Sequence, residues 1–165
     1  MRLRWIVVVA VGLVVGMGPA FAFAGENSHG TGIGIRAGIG VRPDQFVAGA
    51  QAVMAVMGKF ADVVDFAPSV DVGAGDNVTV LTLNPDIRLA FSPPKSDVSF
   101  YGQVGPTFAF IDPKHGDGDT EIGLTLSSGL AFPMGRSNLY TLEVRFGIGD
   151  IPDLRVLSGL QFGGK

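Results

Sequence analysis

From Thr31 onward, apolar residues alternate with small or polar ones in runs separated by clusters of turn-forming residues. The run Thr31 to Arg42, TGIGIRAGIGVR, sets the pattern. Ile33, Ile35, Ala37, Ile39 and Val41 fall on one face of an extended strand, and Gly32, Gly34, Arg36, Gly38, Gly40 and Arg42 on the other. Runs of the same period cover about Gln45 to Met57, Val63 to Gly73, Val78 to Phe91, Val98 to Ile111, Thr120 to Phe132, Leu139 to Gly149 and Asp153 to Phe162. The pattern predicts eight β-strands.

The segments between the runs are short and carry turn chemistry: Arg42-Pro43-Asp44, Gly58 to Asp62, Gly75-Asp76-Asn77, Ser92 to Ser96, Pro113 to Gly118, Gly135 to Asn138 and Asp150-Ile151-Pro152. None is long enough to house the crossover helix that parallel strands need. Seven tight connections therefore predict one all-β domain, an eight-stranded antiparallel up-and-down barrel spanning residues 31–165. One run is ambiguous, because Phe46, Val47, Ala50, Val53, Met54 and Met57 also trace a helical stripe. Strand is preferred there, since Gln45, Gly49 and Gln51 suit a lumen face and an up-and-down antiparallel barrel closes only with an even strand number. Pro68, Pro85 and Pro106 fall inside predicted strands, where each removes a backbone donor, and β-bulges are the expected accommodation.

The two strand faces differ in character. The polar face carries Arg36, Asp65, Asp71, Asp86, Arg88, Glu121, Glu143, Arg145 and Arg155 among Gly, Ala, Ser and Thr, the composition of a crowded, charge-paired lumen. The apolar face carries Leu81, Leu83, Ile87, Leu89, Phe108, Leu124, Leu126, Leu142, Val144 and Phe146, with Phe91, Phe110, Phe132 and Tyr140 near strand ends, where an aromatic girdle would lie. All four lysines, Lys59, Lys95, Lys114 and Lys165, stand outside the strand cores, whereas a soluble barrel scatters Lys along its outward faces. The apolar face is thus expected to meet lipid. A sheet in hydrocarbon must close, because an open edge leaves backbone N–H and C=O groups unsatisfied.

Composition agrees with this reading, since only 16% of the 165 residues are charged, against about 25% in an average soluble domain. There is no Cys, which excludes a disulfide scaffold, a thiol nucleophile and Cys-ligated zinc. Residues 1–24 read as an export signal: Arg2 and Arg4, the apolar stretch Trp5 to Met17, the Gly18-Pro19 pair and the small-residue ending Ala22-Phe23-Ala24. That stretch is short of the roughly 20 residues that span a bilayer as a helix. Cleavage after Ala24 would remove two Arg and no acid, so the formal charge would move from −3 to −5, an argument against nucleic acid as a partner. Residues 25–30, with His29, form a short tail before the barrel.

Three stretches, YGQVGPTFAF (Tyr101 to Phe110), GLAFPM (Gly129 to Met134) and LEVRFGIGDIPDLRVLSGLQF (Leu142 to Phe162), carry a resemblance that extends over nearly the whole exported chain. The sequence resembles the small outer-membrane β-barrel proteins of Gram-negative bacteria, the OmpA/OmpX-like superfamily. The resemblance implies a transmembrane barrel in the cell outer membrane, with membrane lipid and lipopolysaccharide around it. It also implies that Phe162, ending the last strand, is read by the outer-membrane assembly machinery, although Gly163-Gly164-Lys165 follow it and Gly159 is displaced from the usual glycine position.

Chemistry-bearing candidates are few. A lipid A-modifying enzyme would need a Ser nucleophile, a His base and an acid at one rim. His115, with Asp117 and Asp119 nearby, is the imidazole closest to a rim, but Ser127 and Ser128 lie about half a strand away, so no catalytic residue is assigned. Asp112, Asp117, Asp119 and Glu121 read as a solvated acidic turn, with divalent-cation bridging of lipopolysaccharide as the alternative; the spacing is not that of a calcium-binding loop. The glycines of GIGIRAGIG alternate along a strand with no helix after them, so they form no phosphate loop. No cofactor or metal is expected, and oligomeric state is not legible. Eight strands leave an interior only wide enough for side chains, which favours a filled lumen and a structural role in the envelope over a diffusion pore. The competing reading is a soluble periplasmic barrel, lipocalin-like, with the apolar face turned inward around a hydrophobic ligand.

Overall fold

The computed structural model describes residues 32–56 and 64–163. The predicted export signal, the tail with His29 and the Gly58 to Asp62 turn lie outside these residues. Eight strands follow one another: β1 (Gly32–Val41), β2 (Gln45–Ala55), β3 (Val64–Ala74), β4 (Val78–Phe91), β5 (Ser99–Pro113), β6 (Asp119–Met134), β7 (Asn138–Ile148) and β8 (Leu154–Phe162). Each pairs antiparallel with the next, and β8 pairs with β1, so the sheet closes into a barrel. The ambiguous segment after Gln45 is strand β2, its Gln45, Gly49 and Gln51 on the inward face with Val47 and Val53. Period-two alternation prevailed over the helical stripe because β1 and β3 offer this segment a ladder on each side, interrupted only at Ala52 and Val53 beside β3.

The register fixes the shape of the cylinder. Starting at Ala55 on β2 and stepping through directly opposed partners, the circuit runs through Asp65, Arg88, Gln103, Ser127, Arg145, Arg155 and Gly40 and returns to β2 at Gln45. It comes back ten residues from where it began. With a rise of ~3.3 Å per residue and a strand spacing of ~4.8 Å, that stagger inclines the strands by roughly 40° to the barrel axis. Strands of 9 to 16 residues are then long enough to cross a bilayer at that tilt.

The prolines are not accommodated by bulges, contrary to the sequence-based expectation. Every ladder keeps a single register along its length, with no residue inserted on either side. Instead the three prolines form a row: Pro68 is opposed to Pro85, and Pro106 to Leu124, in ladders that run unbroken through them. The β4–β5 ladder is interrupted only between the Leu83–Phe108 and Ile87–Val104 pairs, where Pro85 faces Pro106. Antiparallel partners alternate between pairs that exchange hydrogen bonds and pairs that do not. Pro68–Pro85 and Pro106–Leu124 belong to the second kind, where a missing N–H is harmless to that ladder. Pro85–Pro106 belongs to the first, so two missing donors coincide at one place and the third falls opposite Ala52 on β2, where the β2–β3 ladder also skips. All three rings lie on the outward face, alternating with the buried, inward Ala67, Ser69, Asn84, Asp86 and Thr107.

The rim opposite the chain ends is closed by its last connection. Gly149, at φ 107°, turns the chain back toward the axis, and Ile151 enters the mouth to pack with Val80 and Ala109, flanked by Val78 and Ile111. Gly123 and Gly147 make room for it, since a Cβ on either would stand less than 3 Å from Ile151 Cγ1.

Because position 106 pairs without a bulge, a Pro106→Thr variant should show a new backbone amide that donates to the Pro85 carbonyl and is protected from hydrogen exchange. Exchange measured by NMR on the refolded protein checks this; a bulge would leave that amide in rapid exchange.

Candidate functional site: the charged lumen and the apolar wall

Among the described residues, strand alternation and height along the barrel bury eight charged side chains in the lumen. Arg36, Arg88, Arg145 and Arg155 are buried together with Asp65, Asp71, Asp86 and Glu143, four cations against four anions, so the lumen is formally neutral. Neutrality matters here because unpaired charge is strongly disfavoured in a low-dielectric interior.

Arg36 is the hub. Its register neighbours are both glycines, Gly49 on β2 and Gly159 on β8. A Cβ at Gly49 would collide with the Asp71 carboxylate and the Val70 carbonyl, and one at Gly159 would stand 3.1 Å from the Arg36 Cβ and 2.9 Å from Thr141 Oγ1. With both positions bare, the guanidinium reaches past β2 to β3, where Nε and Nη2 each donate to Asp71 at 2.7 Å in a bidentate pair. Nη2 also donates to Ser69 at 2.7 Å, and on the other side Nη1 lies 3.7 Å from Glu143 Oε1 on β7. One residue of β1 thus ties β3 to β7.

The remaining charges extend from this hub. Arg145 donates through Nε to Glu143 Oε1 and through Nη2 to Asp86 Oδ2, both at 2.9 Å. Arg155 donates to Thr82 at 2.8 Å and lies 3.6 Å from Asp71, which it shares with Arg36. That sharing lets Arg145 and Arg155 stand as direct neighbours across the β7–β8 ladder. Neutral side chains fill in: Asn84 donates to Asp71 and Ser69, Thr107 donates to Asn84 and is hydrogen-bonded to Thr125, and Gln103 donates to Glu143. Toward the chain ends, Arg88 stacks on the Tyr101 ring with its guanidinium carbon 4.1 Å from the centroid, opposite Asp65 in the β3–β4 register, and Tyr101 donates to Glu143. Gly129 leaves space for that ring.

Eight of the nine predicted lumen charges therefore meet in the interior. Glu121 does not: it is on the inward face of β6 but at the rim, beside Asp119 and Asp150. The Ile151 plug seated against Gly123 separates it from the network. Sequence reasoning missed the neutral members, Ser69, Thr82, Asn84, Gln103 and Thr107, and the glycines that make room for them. Their legible signal was parity, since each falls in phase with a charged residue of its own strand or with the lumen face.

Outside, Ile87, Leu89, Phe108, Leu124, Leu126, Leu142, Val144 and Phe146 are exposed as expected, and Leu83 is half-buried. Leu81 departs from the expectation: it is outward by alternation, yet only 3% exposed where Val72 and Phe110 flank it on the neighbouring strands. Phe91, Phe132, Tyr140 and Phe162 gather with Phe100 at the rim of the chain ends, Phe132 and Tyr140 with ring centroids 6.3 Å apart, whereas Phe110 lies toward the opposite rim. Phe162 is the last residue of β8, paired with Ile33 on β1 and Asn138 on β7. The inverted, lipocalin-like arrangement is overturned by this sidedness, with carboxylates and guanidinia inside and a belt of exposed Ile, Leu, Val and Phe outside.

The rim chemistry is not gathered into a site. His115 is in the exposed β5–β6 connection; Ser127 is buried in the lumen, about 26 Å along β6 from its first residue at ~3.3 Å per residue, and Ser128 points outward. Among the described residues, no group of three or more His, Asp or Glu side chains is placed to hold a metal ion.

No protein-family model matches the chain, and no curated protein matches it. Solved structures do. The N-terminal β-barrel domain of Pseudomonas aeruginosa OprF superposes with a TM-score of 0.65 at 13% identity, over 82% of this chain and 97% of that one. Neisserial surface protein A, NspA, superposes with a TM-score of 0.59 at 12% identity, over 79% of this chain and 92% of that one. The chain thus has the eight-stranded barrel fold of outer-membrane proteins.

The network makes two predictions for urea unfolding of the refolded barrel. Asp71→Asn, which leaves Arg36 and Arg155 without their shared anion, should lower stability by about 3 to 5 kcal/mol, whereas Arg36→Met with Asp71→Leu should lose much less than the two single changes summed. Gly49→Ala should unfold at markedly lower urea than the wild type, while Gly102→Ala, with only one atom within 4 Å and that at 3.7 Å, should be nearly neutral.

Proposed function

We propose that this protein is an integral barrel of the bacterial outer membrane with a structural role in the envelope, exported by its N-terminal signal and acting without catalysis. The observation that carries this reading is the sidedness of the wall: a neutral, buried set of arginines and carboxylates inside, and exposed apolar side chains on seven of the eight strands outside. A surface of that kind is unfavourable in water and suited to lipid. The lumen is crossed by Arg36, Arg145 and Arg155 and capped by Ile151 at one mouth, which supports a filled interior rather than an aqueous pore.

The connections at the Ile151 rim are short, 42–44, 75–77, 114–118 and 149–153, leaving little surface for receptor or adhesive activity. Membrane lipid and lipopolysaccharide are the proposed neighbours, and Phe162 at the end of β8 is proposed as the contact for the assembly machinery.

Cell fractionation tests the reading. The protein should need detergent for extraction and should migrate differently on a denaturing gel before and after boiling; release by osmotic shock with no mobility change would refute it. Leu126→Arg, at a site 51% exposed on the wall, should lower folding stability in vesicles by about 2 to 4 kcal/mol or block insertion, and the wild-type barrel should give no steady conductance in planar bilayers.

A further inference from the structure

Between β1, β2, β7 and β8 the barrel holds a partly open cavity of about 10 Å³, lined on its polar side by Arg36, Gln51, Thr141, Glu143 and Gln161 and on its apolar side by Val53 and Leu157. A void of this size holds about one water molecule, and a water is retained only where two or more polar partners face it. We propose that the cavity is a specific binding site for one ordered water that bridges Arg36 on β1 to Glu143 on β7.

Three observations converge on that ligand. Arg36 Nη1 is buried and has no hydrogen-bond partner among the described residues, although the other two nitrogens of the same guanidinium are fully engaged with Asp71 and Ser69. Nη1 stands 3.7 Å from Glu143 Oε1, too far for a direct bond and a suitable span for one bridging oxygen. Glu143 Oε2 is occupied by Tyr101 and Gln103, whereas Oε1 accepts only from Arg145 and has lone-pair capacity left.

The water accepts from Arg36 Nη1, donates to Glu143 Oε1, and directs its second hydrogen to an oxygen of the remaining lining, with Thr141 Oγ1 the nearest hydroxyl by position. An anion would accept from Arg36 but would face the Glu143 carboxylate across the same small space, which disfavours it. Gly159 is what keeps the site open: its missing side chain would stand between Arg36 and Thr141. The water thus completes the link from β1 across β8 to β7, at the seam where the first and last strands close the barrel.

The test is water-to-methyl cross-relaxation by NMR on the full barrel refolded in detergent, observing the Val53 and Leu157 methyl groups. Cross-peaks from a long-lived water are expected at both and should vanish in the Arg36→Met, Asp71→Leu double variant, which removes the Nη1 donor and keeps the Thr141 hydroxyl; cross-peaks that persist there arise from the hydroxyl and would overturn the proposal. Silent methyl groups in the folded wild type would overturn the proposal. If that double variant does not fold, a wild-type crystal structure decides: an oxygen within hydrogen-bond distance of both Arg36 Nη1 and Glu143 Oε1 supports the site, and an empty or collapsed cavity overturns it. An anomalous peak at this position in crystals grown in bromide would show an anion instead and would overturn it equally.

Discussion

The bidentate pair between Arg36 and Asp71 is the interaction on which the interior depends. It requires two bare neighbours, Gly49 and Gly159, and it supplies the anion that Arg155 shares. Without it, Arg155 loses its acid partner and Arg36 keeps, besides its bond to Ser69, the longer contact to Glu143. A buried ion pair of this kind adds little net stability over an apolar core, but once built it makes every member strongly dependent on the others. That dependence specifies one register, because a one-residue slip of β1 would send Arg36 to the apolar face.

The wall and the interior obey the same solvent constraint from opposite sides. In the proposed membrane setting, hydrocarbon outside forbids open backbone groups and exposed charge, which matches a sheet that closes and polar side chains that turn inward. With ten residues of stagger over eight strands, the cylinder is narrow enough that side chains from opposite strands meet, and glycines at Gly49, Gly129 and Gly159 decide which of them can cross. The proline row is the wall's one concession. Three donors are lost, but two are lost at the same pair, so the ladders are disturbed at only two places.

The chain order of strands, their boundaries to within a few residues, and the inward or outward sense of nearly every side chain were legible from period-two alternation and turn residues. Eight of nine lumen charges followed from parity alone. Glu121 did not, because parity gives a side chain's direction and not its height along the barrel, and a plug from the β7–β8 connection isolates it. Leu81 failed for a related reason, since facing outward does not settle how far neighbouring side chains cover a position. The bulges expected at Pro68, Pro85 and Pro106 failed because the hydrogen-bonding phase of a ladder is invisible until two strands are registered.

By itself, then, the sequence determined that the chain makes a closed antiparallel barrel with charge inside and apolar groups outside, because alternation and short turns are local properties that each strand carries alone. Only the tertiary structure decided which arginine meets which carboxylate, why Gly49 and Gly159 must be glycine, and how three prolines share one gap. Those features depend on the stagger between strands far apart in the chain, and that stagger exists only after β8 has closed against β1.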